Sequence, residues 1–129
     1  MNELIKAVEQ WSAEKGLDKA DSSKQFLKVS EEVGEVAAAL ARSDQEALKD
    51  GIGDVVVTLI ILAQQNDTNL QECLSTAYEE IKDRKGEMVD GVFVKESDLT
   101  VTKTLKETID YVTRGKAAES GWFKGEKFL

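Results

Sequence analysis

Apolar positions recur at helical spacing along most of the chain. Residues 2–15 put Leu4, Ile5, Val8 and Trp11 on one face, with Ala7 beside them, and predict a first helix stopped by Gly16. Asp21, Ser22 and Ser23 offer N-caps for a second helix to about Arg42. Its expected core stripe is Phe26, Val29, Val33, Val36, Ala37 and Leu40. Ser43 with Glu46 has the capping-box pattern and opens a third helix to about Gln65. From Val55 that helix is apolar on nearly every side, which places it at the centre of a bundle or at a subunit interface. Gly51 and Gly53 each weaken it by roughly 1 kcal/mol relative to alanine, so they either permit close packing or mark a local break.

Thr68 with Gln71 predicts the start of a fourth helix running to about Lys85 and ended by Gly86. Glu87 to Lys95 then reads as a hairpin turning at Asp90-Gly91. Two strands alone are marginally stable, so this hairpin is expected to pack on the helices or on a partner chain. Thr104 with Glu107 opens a fifth helix to about Thr113, stopped by Gly115. Beyond it, Trp122, Phe123 and Phe128 lie among polar residues without a clear period. The expected fold is all-α: a bundle of four to five helices with one small hairpin. Residues 1–86 form the helical core, and 87–129 add the hairpin, the last helix and a tail on the same domain.

A length of 129 residues suits one compact domain. Charged residues make up 33% and proline is absent, as long solvated helices require. The net charge of -8, with no basic cluster beyond Lys82 to Lys85, argues against a nucleic-acid groove. An acidic chain that binds a polyanion such as a nucleotide needs a divalent cation to reverse the sign of its carboxylates. There is no histidine and one cysteine, Cys73, which excludes an internal disulfide, thiolate or imidazole zinc sites, and Ser-His-Asp or Cys-His catalysis. Cys73 is expected as a small core residue. Met1 to Ala13 is amphipathic and acidic, unlike a signal peptide, and the apolar run Val55 to Ala63 is too short to span a bilayer. The expected location is the cytoplasm, with no membrane partner.

The remaining chemical tools are carboxylates, lysines and hydroxyls. Glu32 and Glu35 project from one side of the second helix, with Glu31 a neighbour of Glu35. Gln25, Lys28, Glu32 and Glu35 form a stripe separate from the expected apolar face. Taken alone, this is an ordinary solvated acidic surface. Asp50 and Asp54 add a second acidic pair one turn apart, and Asp54 heads the apolar run. A buried ionised carboxylate costs several kcal/mol unless it is paired or bound to metal. No lysine or arginine occurs from Asp50 to Ile81. Either Asp54 sits near the end of the bundle or pairs with Lys28 across helices, or a hard cation joins the two acidic clusters.

This arrangement resembles the MazG-like all-α nucleoside triphosphate pyrophosphohydrolases, whose pattern is ExxE followed by ExxD. Glu32-Val33-Gly34-Glu35 matches the first part, and Asp54 matches the final aspartate. Gly51 stands where the second glutamate belongs, and Asp50 is the nearby acid that could compensate. The resemblance covers about residues 1–86. It implies Mg²⁺, or Mn²⁺, held by Glu32, Glu35 and Asp54, with Asp50 as a substitute ligand. It implies hydrolysis of a nucleoside triphosphate to the monophosphate and pyrophosphate, with Glu31 orienting the water. Lys28, Lys82, Arg84 and Lys85 would meet phosphate; the latter three also suit a cationic helix C-terminus. Trp11, Phe26, Trp122 or Phe123 would either stack a base or belong to the core. Self-association to a homodimer or homotetramer is expected. The alternatives are a specific dUTP or dCTP hydrolase, a catalytically silent scaffold, and a dimerisation module without metal.

Overall fold

The structure, a computed structural model, describes residues 1–114, apart from the side chains of residues 100–103. It is all-α with one hairpin. The helices are α1 (Asn2–Glu14), α2 (Ser22–Ala41), α3 (Gln45–Gln65), α4 (Leu70–Ile81) and α5 (Glu96–Thr113), and a 3₁₀ turn spans Leu17–Lys19. Strands β1 (Gly86–Val89) and β2 (Val92–Lys95) pair antiparallel between α4 and α5. The chain divides into two compact units, Met1–Glu79 and a second beginning at Glu80.

The first unit is built on α2 and α3, which run antiparallel. Val36 lies against Gly51, and Gln25 Nε2 donates to the Thr58 carbonyl at 3.0 Å, so rising numbers on one helix meet falling numbers on the other. Gly51 is buried, and a Cβ there would stand 3.1 Å from Val36 Cγ2. The glycine therefore permits close packing and does not break the helix. Gly53 has open space around it. Helix α1 crosses α3, and Gln64 Nε2 donates to the Glu9 carbonyl at 3.1 Å. Gln65 Nε2 ties the 3₁₀ turn to α3 through the Leu17 carbonyl at 2.9 Å.

The face of α2 that meets α3 differs from the expected one. Val29 and Ala39 are buried, and Gln25, Glu32 and Val36 are half-buried in line with them. Residues 25, 29, 32, 36 and 39 follow a heptad seam, as helices crossing at a shallow angle require. Phe26, Val33 and Leu40, expected in the core, are 58%, 51% and 60% exposed. Ala37 is exposed with them. Val29 and Val36 of the expected stripe do lie on the seam, but apolar content alone added Phe26, Val33, Ala37 and Leu40, because the rest of the seam includes the polar Gln25 and Glu32. On α3, Ile60, Ile61 and Ala63 are buried while Val56 and Leu59 are exposed, so this chain covers that helix on one side. Leu4 and Trp11 of α1 are also largely exposed, as is Cys73.

The helix ends show why the expected capping boxes shift by one residue. Helix α2 closes with Asp44 N–H on the Ala39 carbonyl and Ser43 N–H on the Leu40 carbonyl, a Schellman motif with Ser43 left-handed at φ 52°. Ser43 is thus the end of α2, and Asp44 caps α3 by accepting from Ala47 N–H at 3.1 Å. Helix α3 ends the same way, with Asp67 at φ 57°. Asn69, not Thr68, caps α4 by accepting from Glu72 N–H at 2.9 Å. Asp21 caps α2, and Gly16, at φ 74°, closes α1 as expected.

In the second unit Asp90 and Gly91 adopt φ of 50° and 80°, the paired left-handed conformation of a type I′ turn. Gly86 starts β1 and does not end α4. A side chain there would collide with the Val94 carbonyl and the Phe93 ring. Helix α5 begins at Glu96, eight residues before the expected Thr104, with Glu96 and Asp98 in its first turn favouring the helix dipole. The expected stop at Gly115 and the aromatics Trp122, Phe123 and Phe128 lie outside the described residues.

The glycine pair gives a direct test of the packing. Gly53→Ala is expected to stabilise the chain by about 0.5–1 kcal/mol through helix propensity alone. Gly51→Leu is expected to destabilise it by about 1–3 kcal/mol by forcing α2 and α3 apart. Urea unfolding of the two variants measures both.

Candidate active site

Because α2 and α3 are antiparallel and close at Gly51, the polar members of their seam face each other. A cavity of about 190 Å³ opens there, lined by Glu32, Glu35, Arg42, Ala47, Asp50, Gly51 and Asp54. All four carboxylates expected to hold metal therefore reach one cavity wall. Glu32 and Asp54 are half-buried, and Glu35 and Asp50 are exposed. Although Asp54 heads the apolar run, it is only partly covered. The helix passes the cavity before its apolar residues sink into the seam.

The Glu32 carboxyl is pushed above its ordinary value. Loss of water around it is the largest cause, followed by the Asp54 carboxylate; Lys28 opposes the shift, and Glu31 and Glu35 add to it. Glu32 thus feels Asp54 across the helix pair. Lys28 forms an exposed ion pair with Glu31 at 3.3 Å, not with Asp54. Such pairs contribute little stability.

The remaining expected site residues divide. Lys28 and Glu31 stand on α2 beside the cavity without lining it. Lys82, Arg84 and Lys85 are exposed in the turn after α4, within the second unit. Arg42 was missed. It lies seven residues, two helical turns, after Glu35, in a row that flanks the seam, and that spacing is the signal that could have found it.

The donor set suits a hard divalent cation in kind, because it offers carboxylate oxygens only. Among the described residues no three acidic, histidine or cysteine side chains are gathered closely enough to hold an ion. Glu32, Glu35 and Asp54 thus share a cavity wall rather than a closed set of ligands. The position where the resemblance calls for a second glutamate is tightly packed: a Cβ at Gly51 would stand 3.1 Å from Val36 Cγ2, so a side chain there requires that valine to give by a few tenths of an ångström. Asp50, one residue earlier, points an acid at the cavity instead.

Two antiparallel helices with acids facing across a small cavity define an all-α protein with a carboxylate site. A family model described as the MazG nucleotide pyrophosphohydrolase domain matches residues 21–89, and the chain belongs to that family. The matched span holds α2, α3, α4 and every cavity-lining residue. Over 67 residues the chain is 40% identical to the "Uncharacterized 18.2 kDa protein in rep-hol intergenic region" of Haemophilus phage HP1 (strain HP1c1). That stretch is 51% of this chain and 41% of the phage protein, less than half of the relative's length. No solved structure matches significantly. Among the described residues no helix is long and apolar enough to cross a membrane.

The raised Glu32 carboxyl fixes the sign of a pH effect. The folded chain holds that proton more tightly than the unfolded chain. Stability is therefore expected to fall as pH rises from the ordinary glutamate value through the raised folded one, and then to level off. In EDTA, Glu32→Gln should be more stable than wild type at pH 7 and equal to it at pH 3, by urea unfolding. Asp54→Asn should lower the Glu32 midpoint in an NMR titration.

Proposed function

We propose that the chain hydrolyses nucleoside triphosphates to the monophosphate and pyrophosphate, using Mg²⁺ or Mn²⁺ held by Glu32, Glu35, Asp50 and Asp54. The observation that supports this most is the single cavity that all four carboxylates line, within the span that carries the family match. Bound there, a divalent cation would neutralise phosphate oxygens and acidify water. Everything else falls to the chain's own side chains. Arg42, at the cavity wall, offers a guanidinium to a phosphate oxygen. Glu31, steadied by Lys28, is the base that orients the attacking water and receives its proton as the bond between the α- and β-phosphates breaks. Lys28 supplies further positive charge for the phosphates. The assembly we read is a homodimer or homotetramer in the cytoplasm. A dUTP- or dCTP-specific enzyme is a narrower version of the same proposal.

A second reading is favoured by Gly51, whose place is taken up by packing against Val36. A chain short of one ligand would be a catalytically silent scaffold that binds nucleotide or only itself.

Pyrophosphate release from the eight common nucleoside triphosphates, with Mg²⁺ present, separates these readings. We expect turnover in wild type and its loss by about 100-fold or more in Glu35→Ala and Asp54→Ala, with helical circular dichroism unchanged. Asp50→Ala is expected to weaken Mg²⁺ binding about 10-fold by calorimetry. Unchanged binding and turnover in Asp50→Ala would remove Asp50 from the ligand set. No Mg²⁺ binding by wild type with nucleotide present would leave the silent scaffold.

A further inference from the structure

Gly51 and Gly53 lie two residues apart in α3, and the fold accounts for only one of them. Gly51 lets α3 close on α2 at Val36. Gly53 is exposed, its φ is not positive, and a Cβ there would meet nothing within 4 Å. A glycine inside a helix is destabilising relative to alanine, and no contact or turn of this chain offsets that. Such a position suits close approach of the backbone by a ligand.

What lies beside Gly53 names the ligand. The glycine lines a groove of about 680 Å³ between α1 and α3. Asp50 and Asp54 line this groove and also the acid cavity on the α2 side, so the two spaces meet at these carboxylates. Past Asp54 the α3 wall is wholly apolar, with Val56, Val57 and Ile60, and α1 adds Leu4, Ile5 and Val8. At the helical rise the wall from Gly53 to Ile60 is about 10 Å long. Apolar walls with a few polar groups at one end are the character of a small-molecule site.

We infer that this groove holds the nucleoside of the substrate, and that Gly53 is the position that gives it room. The inference rests on the hydrolysis proposed above, which puts the triphosphate at the carboxylates. The sugar follows the phosphates in the nucleotide, and it leaves the carboxylates over Gly53. The base then lies between Val57 and the aliphatic side chains of α1. No lining side chain past Asp54 donates or accepts a hydrogen bond, so the base is held by its faces. Affinity therefore follows apolar ring area, and purine nucleotides bind more tightly than pyrimidine ones. Selectivity for dUTP or dCTP would instead need donors and acceptors at the base edge.

Calorimetry with Mg²⁺ and two probes tests the placement. α,β-Methylene ATP carries phosphates and nucleoside and resists cleavage between its α- and β-phosphates, whereas inorganic tripolyphosphate carries phosphates alone. Gly53→Val is expected to raise the Kd of α,β-methylene ATP about 10-fold or more and to leave that of tripolyphosphate unchanged. Gly53→Ala should act in the same direction while unfolding at higher urea, which separates weakened binding from a weakened fold. α,β-Methylene ATP should bind more tightly than α,β-methylene UTP. Irradiation with 2-azido-ATP should label the α1 peptide that holds Val8. Unaltered α,β-methylene ATP binding in both variants, equal loss of both probes, or labelling confined to α2 would overturn the groove while leaving the phosphate site standing. Tighter binding of the pyrimidine analogue would overturn the apolar reading of the base. Wild type that binds neither probe overturns the hydrolysis and this inference together.

Discussion

The contact between Gly51 and Val36 sets the geometry on which the rest of the first unit depends. With no Cβ at residue 51, α3 approaches α2 until the valine methyl would meet a side chain at 3.1 Å. That approach puts Gln25 within reach of the Thr58 carbonyl at one end of the seam and brings Glu32 under the field of Asp54 nearer the other. The cost is a glycine inside a helix, roughly 1 kcal/mol against alanine. The same contact occupies the place in which the family pattern puts an acid. Packing and site chemistry compete for residue 51 here, and packing holds it.

The acids themselves are arranged with little support. Glu32 and Asp54 are half-buried and repel one another, which is visible in the raised Glu32 carboxyl. The ion pair of Lys28 with Glu31 lies in solvent, and Lys28 offsets the shift of Glu32 only in part. Arg42 is the cation that shares the cavity wall. An arrangement of this kind stores unfavourable charge that a cation or a protonation event relieves. This is a common condition of sites that work on phosphate, since groups held for a ligand cannot also be satisfied by one another.

The apolar surface follows a similar logic. Few apolar side chains of the first unit are buried, and those are concentrated on α3 and the seam of α2. Much of the remaining apolar content faces outward along Leu4, Phe26, Val33, Leu40 and Leu74. Isolated exposed apolar residues are ordinary, but contiguous helical stripes are the mark of a surface meant for cover.

Much was determined by local sequence. Helical period, Asp21 as a cap, Gly16 as a stop and Asp90-Gly91 as a turn are local properties, and each appears where the chain places it. The spacing of Glu32, Glu35, Asp50 and Asp54 also places these acids on helix faces before any contact is known. Other features were beyond that reach. Ser43 and Thr68 look like caps, yet Asp44 and Asn69 take the role, because the Schellman closures of α2 and α3 use up the preceding residues. The start of α5 was hidden, since no glycine or proline separates Val92–Lys95 from it. The choice of seam on α2 was decided only in three dimensions. Hydrophobicity favours Phe26, Val33 and Leu40, but the close approach at Gly51 turns Gln25, Glu32 and Val36 toward α3. A helix period says which residues share a face. Which face meets the neighbour is settled by the partner helix, here by the one position where it has no side chain.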